Sequence, residues 1–398
     1  MNAKPPHIAH RMADIEPFHV MDLLARARAL EAQGKDIVHM EIGEPDFETP
    51  NPVCEAGKRA IDAGLTQYTP AVGLPALREA ISAFYKSEHN VSVSPERIVI
   101  TPGASGALLL TMGVLVNPGD EVLLADPGYP CNRHFARFME GKAVGVPVSE
   151  ETDYQLNATL LEKHWNESTV AALLASPSNP TGTLIPNESL QAMSEVALSH
   201  GGRLVVDEIY HGLTYEDGDG GAAPDKINTA LSFSDELFVI NSFSKYFCMT
   251  GWRLGWLVAP EVYVREIDKL AQNIFLAAPT IAQHAALTAF EPETRAILNE
   301  RREAYRERRD FLLPALRELG FDIPVVPQGA FYLYANCSRF TDDSYEFSKD
   351  VLEHAGVAIT PGRDFGANEP EKHVRFAYTT SLERLKEGVN RLGVFLNT

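Results

Sequence analysis

Between residues 97 and 259 the chain alternates short apolar runs with longer segments of helical spacing, and this alternation narrows the fold more than any other feature. The runs are 97–101 (RIVIT), 121–125 (EVLLA), 143–148 (AVGVPV), 170–175 (VAALLA), 203–206 (RLVV), 237–241 (LFVIN) and 255–259 (GWLVA). They lack the in–out alternation of a half-exposed strand, so each reads as a strand buried on both faces. Segments such as 105–116 and 188–199 repeat apolar residues at helical spacing and would cover those faces. A sheet covered on both sides by helices is an α/β domain of mostly parallel strands, and ligands then sit at the carboxyl ends of the strands.

After about residue 285 the texture changes. Residues 297–319 read as a long charged amphipathic helix that Pro314 is expected to kink. Strand candidates follow at 330–335, 357–360 and 374–378, and a helix at 381–396 closes the chain. At the other end, a helix at 21–33 and a short strand at 37–41 are placed to pack back on this last part. The expected division is an N-terminal arm (1–44), a large domain with the central sheet (45–285) and a small α+β domain (286–398), which suits a length of 398 residues. A net charge of −19 repels phosphate backbones and anionic lipid, so nucleic acid is set aside as a partner. No apolar run approaches the ~20 residues of a membrane span, and the first residues lack the apolar core of a signal peptide. Cys54, Cys131, Cys248 and Cys337 are scattered with no CxxC pair, which reads as reduced thiols in a cytoplasmic protein without a disulfide frame or zinc site.

Chemistry is expected where each apolar run ends. Thr101-Pro102-Gly103-Ala104-Ser105-Gly106-Ala107 lies between a strand and a helix, so free N–H groups and a hydroxyl could seat a phosphate; a plain strand-to-helix turn has the same pattern. Asp207-Glu208-Ile209-Tyr210 puts an acid at the tip of a buried strand. A P-loop NTPase would use such an acid for metal, but the pairs Gly34-Lys35, Gly57-Lys58 and Gly141-Lys142 are followed by Asp, Arg and Ala rather than Ser or Thr. What remains is an acid placed to hold a positive charge or a proton. In Ser242-Phe243-Ser244-Lys245, a lysine directly after a buried strand has an arginine, Arg253, eight residues on. Burial and a neighbouring cation lower a lysine's pKa and favour imine formation, whereas an arbitrary lysine is a solvated surface charge.

These motifs, in order with Gly43-Glu44-Pro45-Asp46-Phe47, Pro127-Gly128-Tyr129-Pro130, Ser176-Pro177-Ser178-Asn179-Pro180-Thr181-Gly182 and His373-Val374-Arg375-Phe376, resemble those of the class I/II aminotransferases of fold type I. The resemblance extends over essentially the whole chain and implies pyridoxal 5′-phosphate as cofactor. It implies that Lys245 is the Schiff-base lysine and proton shuttle, and that Asp207 pairs with the pyridine nitrogen. Asn179 and Tyr210 would hydrogen-bond the ring oxygen, Tyr129 would stack on the ring, and Ala104, Ser105, Ser242, Ser244 and Arg253 would surround the phosphate. Arg375 would clamp the substrate α-carboxylate, with Gly43 and Asn179 beside it. Tyr68, in Gln67-Tyr68-Thr69-Pro70, would reach across a homodimer interface to the partner's phosphate; by itself it reads as a core aromatic.

The implied activity is transfer of an amino group between an amino acid and a 2-oxo acid. The residue after Ala104-Ser105 is Gly106, and no motif supplies a second arginine for a side-chain carboxylate, so a neutral substrate (alanine, branched-chain or aromatic) is favoured. Another reaction on the same scaffold, C–S lysis or cyclopropane formation, would use the same cofactor residues. A non-catalytic cofactor-binding regulator would need a DNA-binding domain that neither the arm nor the charge provides. Cys248 stands where the family has a smaller or aliphatic residue and reads as a small buried hydrophobe rather than a catalytic thiol. His7 and His10 lack ligand partners, and 216–221 lacks the full calcium-loop pattern and reads as a surface loop.

Overall fold

The computed structural model describes residues 6–215 and 228–397, so the acidic 216–221 loop lies outside the described residues. Its strands, in chain order, are β1 (Val38–His39), β2 (Ile98–Thr101), β3 (Glu121–Asp126), β4 (Lys142–Pro147), β5 (Thr169–Ala175), β6 (Arg203–Asp207), β7 (Phe238–Ser242), β8 (Gly255–Val258), β9 (Tyr332–Asn336), β10 (Val357–Ala358), β11 (Thr360–Pro361) and β12 (His373–Ala377). The helices that carry the argument are α1 (His19–Glu31), α2 (Gly103–Leu115), α3 (Asn187–Ser199), α4 (Pro292–Leu319) and α5 (Leu382–Leu396).

Each apolar run between 97 and 259 contributes a strand to a seven-stranded sheet of order β2-β8-β7-β6-β5-β3-β4. β8 runs antiparallel to β2 and β7, and the other pairings are parallel. Successive side chains on a strand point to opposite faces, so the sheet divides its residues between two cores. Ile98, Ile100, Leu123, Leu204, Val206, Val239 and Trp256 enter one core, with Leu190, Met193 and Ala197 of α3. Val99, Val122, Leu124, Val205, Ile240 and Leu257 enter the other, with Ala107, Leu108 and Leu110 of α2. This is an α/β fold with both sheet faces covered. β4 departs from the expected burial: it is the last strand in the order, with one edge unpaired, and only Val146 along it is buried. Val144 and Ala143 are only partly buried there, packed against the rims of the two cores.

The last third of the chain forms an antiparallel sheet of order β11-β12-β9; α4 and α5 pack on each other, α5 also meets β1 and β10, and α1 packs on β11. The run 357–360, expected as one strand, is split: β10 pairs in parallel with β1, and β11 pairs with β12. Pro361 ends β11, where a residue without an N–H suits an edge. The β1–β10 pairing joins the first strand of the chain to its last third. α4 continues through Pro314. Its lost backbone hydrogen bond costs about 3 kcal/mol, and burial of Leu312, Leu313 and Leu316, each worth ~1.5–3 kcal/mol, outweighs that. α1 has no capping side chain of its own; the Asp364 carboxylate accepts from the N–H groups of His19 (2.7 Å) and Val20 (2.9 Å) and serves as its cap from outside.

Candidate active site

A cavity of about 590 Å³ opens at the carboxyl ends of β6 and β7, between the large sheet and the β11-β12-β9 sheet. Asp207 is the last residue of β6 and is only 6% exposed. Its Oδ1 accepts from the Ile209 N–H at 3.0 Å. Burial pushes its carboxyl up to about 7, against that hydrogen bond, with Glu208 adding to the rise and Lys245 opposing it. Lys245 follows β7, and its Nζ donates to the Gly43 carbonyl at 2.6 Å. Burial brings its ammonium down to about 8, opposed by Glu44 and Asp207 and assisted by Arg375 and Arg253. A Cβ on Gly43 would lie 1.9 Å from the Tyr332 hydroxyl, so this close approach needs glycine.

At one end of the cavity α2 begins, with Ala104 and Ser105 in its first turn. Arg253, exposed and just ahead of β8, reaches the same point, where a Cβ on Gly103 would meet its Nη2 at 2.7 Å. Ser244 lines the wall beside them, held by Ser242, whose Oγ donates to Ser244 Oγ at 2.9 Å and accepts from the Ser244 N–H at 3.0 Å. Two donor side chains, a guanidinium and a helix N-terminus therefore converge on one anion-sized place. Ser242 itself is 1% exposed and stands behind the wall rather than on it.

The opposite end is built around Arg375, in the middle of β12 and buried. Its Nη1 donates to Asn179 Oδ1 at 2.8 Å, and its Nη2 donates to the Glu41 carbonyl at 2.5 Å and to Thr360 Oγ1 at 3.2 Å. The guanidinium carbon lies 4.3 Å from the centre of the Tyr332 ring and 4.9 Å from that of Phe365. All three acceptors are neutral, so the charge is left for an incoming anion. The Tyr210 and Tyr332 hydroxyls are 2.7 Å apart, and Tyr129 lies across the cavity.

A family model described as aminotransferase class I and II matches residues 35–392. The chain belongs to this family. It is 37% identical over 393 residues to the (5-formylfuran-3-yl)methyl phosphate transaminase of Methanocaldococcus jannaschii, covering 98% of this chain and 100% of that one. It is 38% identical over 384 residues to the valine–pyruvate aminotransferase of Mycobacterium tuberculosis, covering 96% and 97%. A crystal structure of an aminotransferase from Mycobacterium tuberculosis superposes with a TM-score of 0.94 at 37% identity, covering 99% and 100%. Family members use pyridoxal phosphate, and this chain is a pyridoxal-phosphate-dependent aminotransferase.

The cavity fits that cofactor on its own chemistry. The Gly103 cradle between Arg253 and α2 suits a phosphate, the buried Asp207 carboxyl with a hydrogen bond from Ile209 suits a protonated ring nitrogen, and the Lys245 amine in the same cavity feels the charges of Arg375, Arg253 and Asp207. The structure brings Gly43, Ala104, Ser105, Tyr129, Asn179, Asp207, Tyr210, Ser244, Lys245, Arg253 and Arg375 to this one cavity. Tyr68 stands apart, 81% exposed and outside the cavity of its own chain. Cys248 is buried outside the cavity lining, its Sγ 3.7 Å from the Tyr246 carbonyl. Among the described residues no cluster of three or more His, Cys, Asp or Glu could hold a metal ion, and no helix is long and apolar enough to cross a membrane. Sequence reasoning missed Tyr332, Thr360, Asp364, Glu41 and the cavity-facing residues of α1: Val20, Met21, Leu24 and Arg28. The spacing of these last four, one helical stripe, was the only available signal, and it does not say what the stripe faces.

Proposed function

We propose that this chain transfers an amino group from a neutral L-amino acid to a 2-oxo acid, with Lys245 as the proton carrier and Arg375 as the α-carboxylate clamp. The observation that carries the reading is a lysine amine lowered to about 8 by burial in the same cavity as a guanidinium whose acceptors are all neutral. When bound, pyridoxal phosphate supplies an electron sink for the charge left as the α-proton departs. The protein does the rest. Arg253, Ser105, Ser244 and the Ala104 N–H would hold the phosphate; Asp207, ionised by a cationic neighbour, would keep the ring nitrogen protonated; Asn179 and the Tyr210 hydroxyl would serve the ring oxygen, and Tyr129 would cover the ring. Lys245 Nζ would take the proton from the substrate α-carbon and give it up to the carbon on the far side of the transferred nitrogen, a role its lowered pKa suits.

Support for a neutral side chain comes from the wall made by Phe18, Val20, Met21, Leu24, Ile42 and Leu108. A second reading, an acidic acceptor, is favoured by one observation: Arg28 lines the same cavity, and among the described residues its guanidinium has no hydrogen-bond or ion-pair partner. The proposal also includes a cytoplasmic homodimer in which Tyr68 completes the partner's phosphate seat, the chain dividing into an arm (1–44), a large domain (45–285) and a small domain (286–398). Free thiols at all four cysteines and the exposure of Tyr68 support it. The test is a panel of neutral and acidic amino donors against pyruvate and 2-oxoglutarate, read by product formation. Turnover with neutral donors supports the reading, and elimination products in place of a new amino acid would overturn it.

A further inference from the structure

Behind the Arg375 clamp lies a chain of charged side chains for which the cofactor and the reacting atoms have no use. Glu41 follows β1 and is completely buried, yet it is a carboxylate. Its Oε1 is 2.7 Å from His39 Nδ1, and His39 Nε2 is 3.1 Å from Glu31 Oε1 at the end of α1. The hydrogen bond to Glu41 holds His39 up at about 9, so the ring is charged at neutral pH and lies between two carboxylates. The main chain of the same Glu41 is part of the clamp: its carbonyl accepts from Arg375 Nη2 at 2.5 Å and from Thr360 Oγ1 at 2.8 Å. The same face of α1, in the turns before Glu31, supplies the apolar wall of the cavity.

As a stabilising device this arrangement is poor. Glu41 Oε2 is buried with no hydrogen-bond partner, and replacing a buried ion pair by apolar groups is commonly neutral or favourable. What the arrangement does achieve is geometric. β1 is only two residues long, and although Met40 beyond it is still paired with Ala358 and Ala377, the Glu41 carbonyl itself is met by the side chains of Arg375 and Thr360 and, among the described residues, by no strand N–H. The Glu41 side chain anchors it a second time, to α1. His39 also satisfies the negative charge of Glu41, which leaves Arg375 as the charge available to an incoming carboxylate.

We propose that His39 and Glu41 are positioning residues for the α-carboxylate clamp, the Glu31–His39–Glu41 chain holding the Glu41 carbonyl against Arg375 so that the guanidinium presents one fixed edge to the substrate. The inference rests on the reading of Arg375 as the substrate clamp. The test uses the holoenzyme and two readouts: calorimetric binding of propionate, a bare carboxylate, and the separate kinetic constants for amino donor and oxo acid. Glu41→Ala is expected to weaken propionate roughly tenfold and to raise KM for both substrates by a similar factor, with kcat within about twofold and cofactor affinity unchanged. Glu41→Gln, which keeps an acceptor for His39, is expected to recover most of the loss. Glu31→Gln, on a half-exposed residue that tolerates change, is expected to give a smaller shift of the same kind. Unchanged propionate binding in Glu41→Ala, or a loss shared equally by cofactor and propionate and not recovered by Glu41→Gln, would overturn the positioning role. Arg375→Ala is the control: if it binds propionate as the unaltered protein does, the clamp reading itself fails, independently of His39 and Glu41.

Discussion

The two ends of the cavity, the proposed phosphate seat and the proposed carboxylate clamp, are built in different ways. At the phosphate end, Ala104, Ser105, Asp207, Ser244, Lys245 and Arg253 stand at or next to the ends of β2, β6, β7 and β8, with β6, β7, β8 and β2 consecutive neighbours in one sheet. At the carboxylate end, Arg375 of β12 meets Asn179, Thr360 and Glu41, the last of these 334 residues away in the chain, beneath a wall supplied by α1. In the first case the strands that carry these residues on their ends form one hydrogen-bonded ladder, so the positions share a single sheet. In the second, only Arg375 and Thr360 share a ladder, and Asn179, Glu41 and α1 must dock onto it for the geometry to exist. The phosphate end is therefore the rigid part, and the carboxylate end is where a change in packing alters which substrate is held.

Substitutions should separate the two ends. The largest effect is expected for Lys245→Ala, with turnover falling by at least ~10⁴-fold because both the imine-forming amine and the proton carrier are lost. Borohydride treatment followed by peptide mapping should place the cofactor on Lys245 in the unaltered protein, and label on another lysine would remove it from this role. Next, Arg375→Ala should cost about 3–4 kcal/mol in kcat/KM, the loss of two hydrogen bonds to a carboxylate, with cofactor retention unchanged. Arg375→Lys should rescue poorly, since a point charge cannot replace a bidentate fork. Equal loss of cofactor would mean the two ends are one unit and the distinction fails.

Asp207 tests the cost of the rigid end in the empty protein. Its folded pKa, about 7, lies above that of an unfolded aspartate, so between about pH 4 and 7 the native chain keeps a proton that the unfolded chain has lost. Stability attributable to this group therefore falls as pH rises through that window. Asp207→Asn should stabilise the cofactor-free protein on the order of 4 kcal/mol at pH 8 and by nothing comparable at pH 4, read by denaturant unfolding at the two pH values. A pH-independent difference would mean that the carboxyl is not held protonated. The smallest effect is expected for Tyr68→Phe, which should loosen the cofactor by about 2 kcal/mol in the assembled dimer. Mixing Tyr68→Phe with Lys245→Ala subunits should regenerate one site with both residues intact. No recovery despite proven heterodimer formation would return Tyr68 to a surface role.

The same contrast explains what was legible in the chain. All seven apolar runs between 97 and 259 become strands within one or two residues of the expected ends, because an unbroken apolar run bounded by turn residues has few ways to bury itself. The polar residue that ends such a run is then at the sheet's edge by construction, which is why Asp207, Ser244 and Lys245 could be singled out from local pattern. The exposure of β4 was not legible, since strand order decides which strand lies at the edge and the pattern is silent on order. Nor was the splitting of 357–360, where the chain leaves β1 for β12.

By itself the sequence determined the layered α/β architecture, the strand ends that face the cavity and the identities of the groups offered there, since hydrophobic period and turn chemistry act over a few residues. Only the tertiary structure decided that Tyr332 would face Tyr210, that Asp364 would cap α1 and that α1 would form the wall of the cavity. It alone placed the Glu41 carbonyl against Arg375, because contacts between residues hundreds of positions apart depend on how whole elements dock, and the local period of neither partner records the other.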